Sequence, residues 1–243
     1  KSDVLNSSIV LDIGAHTTKI GLNVNNFPAF IPSIISYKHD SESEHSEIDA
    51  YDFYIGNEAI NNNKLYYERA QLIKNGLVDW SCLENFLEQC FFKYMRCDPE
   101  DHPILVVLPH QCTPEYKTNI SQILFETFNF PYILLRPPST CAIAASCDHY
   151  QIRYEGCTVH FGEHSTDVNI VGEGEVIPNC SVSMPIGGND LTCFVADLIG
   201  DREKSIPDKD LFATAKTVKE RYCRAALNCS LRFQRFDKKR EMY

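Results

Sequence analysis

Two segments of the chain are variants of one another. The first runs Asp12-Ile13-Gly14-Ala15-His16-Thr17-Thr18-Lys19-Ile20-Gly21-Leu22, and the second runs His160-Phe161-Gly162-Glu163-His164-Ser165-Thr166-Asp167-Val168-Asn169-Ile170. Each follows an apolar run, Ile9-Val10-Leu11 or Thr158-Val159, and each leads into another. A Gly-x-His-(Thr/Ser)-Thr core sits at each tip. An apolar run, a glycine that permits a tight bend, and a second apolar run predict strand, turn, strand. Two such hairpins far apart in one chain predict a duplicated architecture with a site between the copies.

Between and after the hairpins, strand and helix signals alternate. Residues 8–13 and 19–24 form the first hairpin, and Phe30 to Ile35 is a strand kept to a sheet edge by Pro32. Tyr54 to Ala59 closes a short strand and opens a helix. Leu83, Phe86, Leu87, Cys90, Phe91 and Tyr94 recur at helical spacing and make one apolar face. Ile104 to Leu108 reads as a buried strand. Thr113-Pro114 is an N-cap followed by a first-turn proline, opening a helix to about Phe128. Ile133 to Leu135 is a strand and Ser139 to Ser146 a small-residue helix. The second hairpin covers 157–171, and a further strand runs from Val182 to Ile186. Helices follow from Gly187 to about Leu198 and from Phe212 to about Leu227. The pattern is that of an α/β protein, sheet covered by helices.

Composition excludes several classes. With 44% apolar residues over 243 positions the chain has ample core and is not wholly disordered. Its apolar runs are too short to span a bilayer, and no secretory leader is read at its start. The net charge of −10 sits partly in an acidic loop at 39–50, and no basic stripe offers itself to nucleic acid. That loop reads as a solvated linker, with a partner contact as the alternative. Eleven cysteines include no Cys-x-x-Cys pair, which argues against zinc ribbons and thioredoxin-type motifs. Cys90, Cys141 and Cys193 fall in apolar periodic segments and read as small core hydrophobes in a reducing, cytoplasmic compartment.

Several motifs resemble those of actin and the actin-related proteins, in the family's order. They are Tyr54-Ile55-Gly56-Asn57-Glu58-Ala59, Gly76-Leu77-Val78-Asp79-Trp80, Asp98-Pro99-Glu100-Asp101-His102-Pro103 and Phe125-Glu126-Thr127-Phe128-Asn129-Phe130-Pro131. Two more, Phe91-Phe92-Lys93-Tyr94-Met95-Arg96 and Asp201-Arg202-Glu203-Lys204-Ser205-Ile206-Pro207 with Ala215 to Tyr222 behind it, are similar to the branch known as actin-related protein 3. The resemblance implies the actin-like ATPase fold of two related ribonuclease H-like halves. Residues 1–150 would be the first half and 151–243 the start of an incomplete second half, the chain covering about the first two thirds of the family's length.

The resemblance also implies a nucleotide site in which the hairpins' backbone N–H groups grip the phosphates of MgATP. Asp12 fits the carboxylate facing the metal's water, Gly14 and Gly162 the turn glycines, and Lys19 the phosphate lysine. Glu163 stands for an aspartate, and Lys219 and Glu220 fit a pair that contacts the nucleoside. Other positions depart from the family. Ala15 replaces a phosphate-contacting serine, His16 and His164 replace glycines, and His160 replaces the second metal-side aspartate. Asp167 stands at the water-orienting histidine and Pro138 at the catalytic glutamine. Losing a water-orienting group costs on the order of 10²–10⁴ in rate, and losing a charged hydrogen bond roughly 1.5–3 kcal/mol.

The expected molecule therefore has no catalytic residue and holds ATP with magnesium weakly or not at all. It is a pseudo-ATPase serving as a structural subunit of a cytoskeletal assembly, foremost an actin-nucleating complex of the actin-related protein 2 and 3 type. Its partners would be the other subunits and actin, with no nucleic acid and no membrane. Alternatives are a subunit of dynactin, a chromatin remodeller or an axoneme, a slow ATPase with a rearranged site, or a fragment without a stable fold. No metal site is expected; the alternative is a zinc-type set of His16, His160, His164 and Asp12. The basic, aromatic segment 232–240 reads as a frayed end or a partner contact.

Overall fold

The computed structural model describes residues 7–25, 27–38, 53–62, 67–74, 76–109, 112–150 and 153–238. The acidic loop at 39–50 lies outside the described residues, as does the tip of the basic segment beyond 238. Two compact units divide the chain, Lys1–Pro185 and Ile186–Tyr243.

The first unit opens with β1 (Ile9–Ile13), β2 (Thr17–Leu22) and β3 (Ala29–Pro32), an antiparallel meander in which Asp12 pairs with Lys19 and Ile13 with Thr18. Pro32 does lie on an edge strand. The single strand expected over 30–35 is instead two, because Ser33 breaks it. The Ser33 amide donates to the His16 carbonyl, and its hydroxyl donates to the Gly14 carbonyl and meets the Thr18 hydroxyl. Those bonds tie the next segment to the tip of the first hairpin. The chain then enters a second sheet through β4 (Ile34–Lys38) and β5 (Phe53–Ile55), turns through the short helix α1 (Gly56–Asn61), and returns as β6 (Tyr67–Gln71). Two small strands, β7 (Ile73–Lys74) and β8 (Leu77–Val78), form a separate ribbon.

Helix α2 (Trp80–Gln89) is capped by Asp79, whose carboxylate accepts from the Cys82 amide. Leu83, Phe86, Leu87, Cys90 and Phe91 are fully buried, as the helical spacing predicts. Tyr94 is 37% exposed. Beyond Gln89 the helix widens into a π-helical segment, Cys90–Met95, so the apolar stripe lags the 3.6-residue period and Tyr94 turns off the face. After β9 (Ile104–Val107), α3 (Pro114–Gln122) begins at the expected Thr113 cap, which accepts from the Tyr116 amide, and passes into a second π-helical turn at Ile123–Thr127. Phe128 and Phe130 then stack edge-on against Phe91, with ring centres 5.1 and 5.2 Å away. β10 (Ile133–Arg136) completes the main sheet, in the order β10-β9-β1-β2-β3, with β1, β9 and β10 parallel.

Helix α4 (Pro138–Tyr150) leads to the second hairpin, β11 (Gly156–Phe161) and β12 (Thr166–Gly172), joined by β13 (Glu175–Met184). Ile143 and Cys147 of α4 pack on Val171 and Val176 of this sheet. β13 starts earlier than expected because Glu173 and Gly174 both take positive φ, 53° and 81°, which closes a two-residue hairpin turn.

The second unit holds α5 (Gly188–Arg202), α6 (Asp208–Tyr222) and α7 (Cys229–Lys238). The Asp190 carboxylate accepts from the Gly187 amide and caps α5. α6 begins just after Pro207, earlier than the apolar period indicates. All eleven cysteines are free. Cys90 is buried as expected, whereas Cys141 is only half-buried and Cys193 is exposed, since α5 buries Thr192 and Ala196 instead. Among the described residues no helix is long and apolar enough to cross a membrane.

Candidate functional site

The two hairpin tips line one cavity of ≈ 680 Å³ in the first unit. It opens at the C-terminal ends of the parallel strands, where Asp12 and Ile13 end β1 and Gly14 and Ala15 follow it, Leu108 and Pro109 follow β9, and Pro138 follows β10. Crevices at strand C-termini are where open α/β sheets bind ligands. Gly162, Glu163, His164 and Ser165 approach from the second hairpin, with His160 and Asp167 on its flanking strands.

The turns are built alike. A Cβ on Gly14 would come within 2.6 Å of the Thr17 carbonyl oxygen, and one on Gly162 within 3.0 Å of the Ser165 carbonyl oxygen. In each case the obstacle is the carbonyl three residues on, within the same turn. The glycines thus have a local reason to be there, independent of any ligand.

The pairing register makes the copies comparable position by position. Asp12 faces Lys19 across the first hairpin, and His160 faces Asp167 across the second. In the first copy the pair is an ion pair, Lys19 Nζ to Asp12 Oδ2 at 2.6 Å, with 43% and 32% of the side chains exposed. Exposed pairs of this kind contribute about 0–1 kcal/mol. In the second copy Asp167 is 3% exposed and accepts from the Ser165 hydroxyl at 2.7 Å through Oδ2. Its Oδ1 is buried with no hydrogen-bond partner among the described residues.

Of the residues singled out by resemblance, Asp12, Gly14, Gly162 and Glu163 come together on the cavity wall, as do the departures Ala15, Pro138, His160, His164 and Asp167. Lys19 is not on the wall and is engaged by Asp12. Lys219 and Glu220 belong to α6 in the second unit. There Lys219 Nζ donates to the Gly188 carbonyl at 2.8 Å and to the Thr192 hydroxyl at 2.7 Å, fastening α6 to the start of α5. Glu220 is exposed. The set of His16, His160, His164 and Asp12 does not converge; among the described residues no three His, Cys, Asp or Glu side chains are placed to hold a metal.

Tyr116 is a wall residue that sequence reasoning missed. Its hydroxyl is buried and has no hydrogen-bond partner among the described residues. Burial, then Cys112 and Asp12, push its ionisation upward, so it remains a hydroxyl donor. Tyr116 lies three residues into α3, and nothing in its local sequence marks it as a wall residue. Ile13, Ile73, Val78, Leu108 and Pro109 give the cavity an apolar side. Among the described residues no lysine or arginine lies on the wall, while Asp12, Glu163 and Asp167 do.

The sequence profile of the actin family matches residues 5–241. The chain is 35% identical over 240 residues to the actin-related protein 3 of Drosophila melanogaster and 34% identical over 244 residues to that of Caenorhabditis elegans. Both alignments cover 94% of this chain and 57% of the relative, so the chain spans somewhat over half of each relative's length, less than the two thirds expected. With its α/β architecture and paired hairpins, the chain belongs to the actin family and is an actin-related protein, similar to actin-related protein 3.

Proposed function

We propose that this protein is a non-catalytic actin-related subunit of a cytoskeletal assembly, and that it acts by shape instead of by turnover. The assembly favoured by the resemblance is an actin-nucleating complex built around actin-related proteins 2 and 3, with the complex's other subunits and actin as partners. On this reading the protein is cytoskeletal, and the cleft is an inherited site that no longer hydrolyses ATP. Any nucleotide would be held at the hairpin cavity of the first unit, through Asp12, Gly14, Lys19, Gly162 and Glu163, weakly at best.

The observation that carries the reading is the wall composition. Pro138 takes the place of the amide side chain that would orient an attacking water, and a proline ring offers no such group. His160 and Asp167, facing one another across β11 and β12, take the places of the metal-side carboxylate and the water-orienting imidazole. Positioning and electrostatics supply nearly all of phosphoryl-transfer catalysis, so replacing three positioning groups at once removes its basis.

The test is single-turnover phosphate release from ATP with magnesium, alongside a Pro138→Gln, His160→Asp, Asp167→His triple variant. No release above the buffer rate from the native protein is expected. Release by the native protein that is abolished by Asp12→Ala would overturn the non-catalytic reading.

A further inference from the structure

We propose that the hairpin cavity binds a small organic cation, an amine or guanidinium on an apolar stem. The inference goes beyond the structural role proposed above and does not depend on it. Its first support is charge: three carboxylates, Asp12, Glu163 and Asp167, line the wall, and no lysine or arginine among the described residues does. Lys19 offsets only Asp12. A set of carboxylates alone marks nothing, because solvated acids are common on surfaces.

The second support is independent of charge. Tyr116 is 8% exposed and Asp167 is 3% exposed, both on the cavity wall, and Tyr116 Oη and Asp167 Oδ1 are buried without a hydrogen-bond partner among the described residues. A buried polar atom left unpaired costs roughly 1–3 kcal/mol, and more when it is charged. A cationic N–H group donating to Asp167 Oδ1 relieves that cost and gains a charge-assisted bond. The Tyr116 oxygen, on the same cavity wall, is a further acceptor for the ligand's N–H groups.

The third support is shape. At ≈ 680 Å³ the cavity is the size of a small-molecule site, and its Ile13, Ile73, Val78 and Leu108 side gives an alkyl stem somewhere to lie.

The probe is n-butylguanidinium, compared with its neutral isostere n-butylurea, by calorimetry on the whole chain at physiological salt. Binding of the cation at least tenfold tighter than the urea is expected. Asp167→Asn should weaken it at least tenfold and Tyr116→Phe about threefold, while Glu88→Gln, which removes the same charge from α2 away from the cavity, should leave it unchanged. The fluorescence of Trp80, the sole tryptophan, checks that each variant is folded. If Asp167→Asn unfolds the unit, the Tyr116→Phe effect decides. Equal binding of the urea, no binding of the cation at millimolar concentration, indifference to both substitutions, or displacement of the cation by ATP with magnesium would each overturn the proposal. None of these results reports phosphate release, so failure here leaves the non-catalytic reading to its own assay.

Discussion

Substituting alanine at the two equivalent glycines tests whether the turn itself retains them. At Gly14 the added Cβ sits 2.6 Å from the Thr17 carbonyl oxygen, 0.8 Å inside the 3.4 Å at which ordinary contact begins. At Gly162 the corresponding distance to Ser165 is 3.0 Å, an intrusion of 0.4 Å. In both cases the obstacle is backbone of the same hairpin and cannot rotate aside. At the Gly14 tip that backbone is also pinned by Ser33, whose hydroxyl donates to the Gly14 carbonyl at 2.6 Å. Overpacking costs about 1–3 kcal/mol, and the stiffer unfolded chain returns about 0.4–1 kcal/mol. Gly14→Ala should therefore destabilise by about 1–2 kcal/mol, and Gly162→Ala should fall within about 0.5 kcal/mol of neutral. For a protein of this size the first value lowers the melting temperature by roughly 2–8 °C. Trp80 lies in α2 with its ring 5.2 Å from that of Tyr116, so urea unfolding followed by its emission reports the first unit alone. If Gly162→Ala costs as much as Gly14→Ala, or if neither costs anything, the turn does not explain the glycines and the reasoning fails.

Two further outcomes concern other parts of the chain. Lys219→Met keeps the aliphatic stem but removes the bonds to Thr192 and Gly188, and should destabilise the α5–α6 pair by roughly 1.5–3 kcal/mol; amide exchange should quicken in those helices while Trp80 emission stays unchanged. Burial, followed by the neighbouring Asp79 carboxylate, pushes the Cys82 thiol from its ordinary 9.0 up to about 12. The folded chain then keeps a proton that the unfolded chain releases, so this contribution to stability is complete below pH 9 and is lost as pH rises towards about 12. Cys82→Ala should flatten the alkaline limb of a stability–pH curve, and Cys82 should alkylate more slowly at pH 8 than the exposed Cys157 and Cys180.

Periodicity exposed what repetition and burial enforce. The helix face from Leu83 to Phe91, the Thr113 cap and the parallel strands at 104 and 133 were legible because each rests on local chemistry acting over several residues. Misplaced elements rest on single events with no periodic trace. Ser33 divides one expected strand into two by bonding to the hairpin tip. The Glu173-Gly174 turn extends β13 backward. A widened helical turn moves Tyr94 off the apolar face. For the site, the hairpin tips and Pro138 could be assigned from sequence, since all lie beside recognisable elements. Tyr116 could not, because its place on the wall depends on which strand its helix follows in space.

The duplicated hairpins show within one molecule what such a site keeps and what it can change. Both copies keep the turn glycine, which the backbone carbonyl three residues on crowds severely at Gly14 and marginally at Gly162. Both bury the threonine that follows, Thr18 and Thr166. These positions are set by the hairpin's own geometry. The cross-strand pair beside them carries no such constraint: it is Asp12 with Lys19 in one copy and His160 with Asp167 in the other, and of these Asp12, His160 and Asp167 line the cavity. The carboxylate has moved to the opposite strand, from a half-exposed ion pair to a buried place with one oxygen unmatched. The same backbone thus presents reversed electrostatics at equivalent points. Membership of the actin family rests on the profile match and on identity along the chain, while what the cavity holds must be argued from Asp167, Tyr116 and their neighbours.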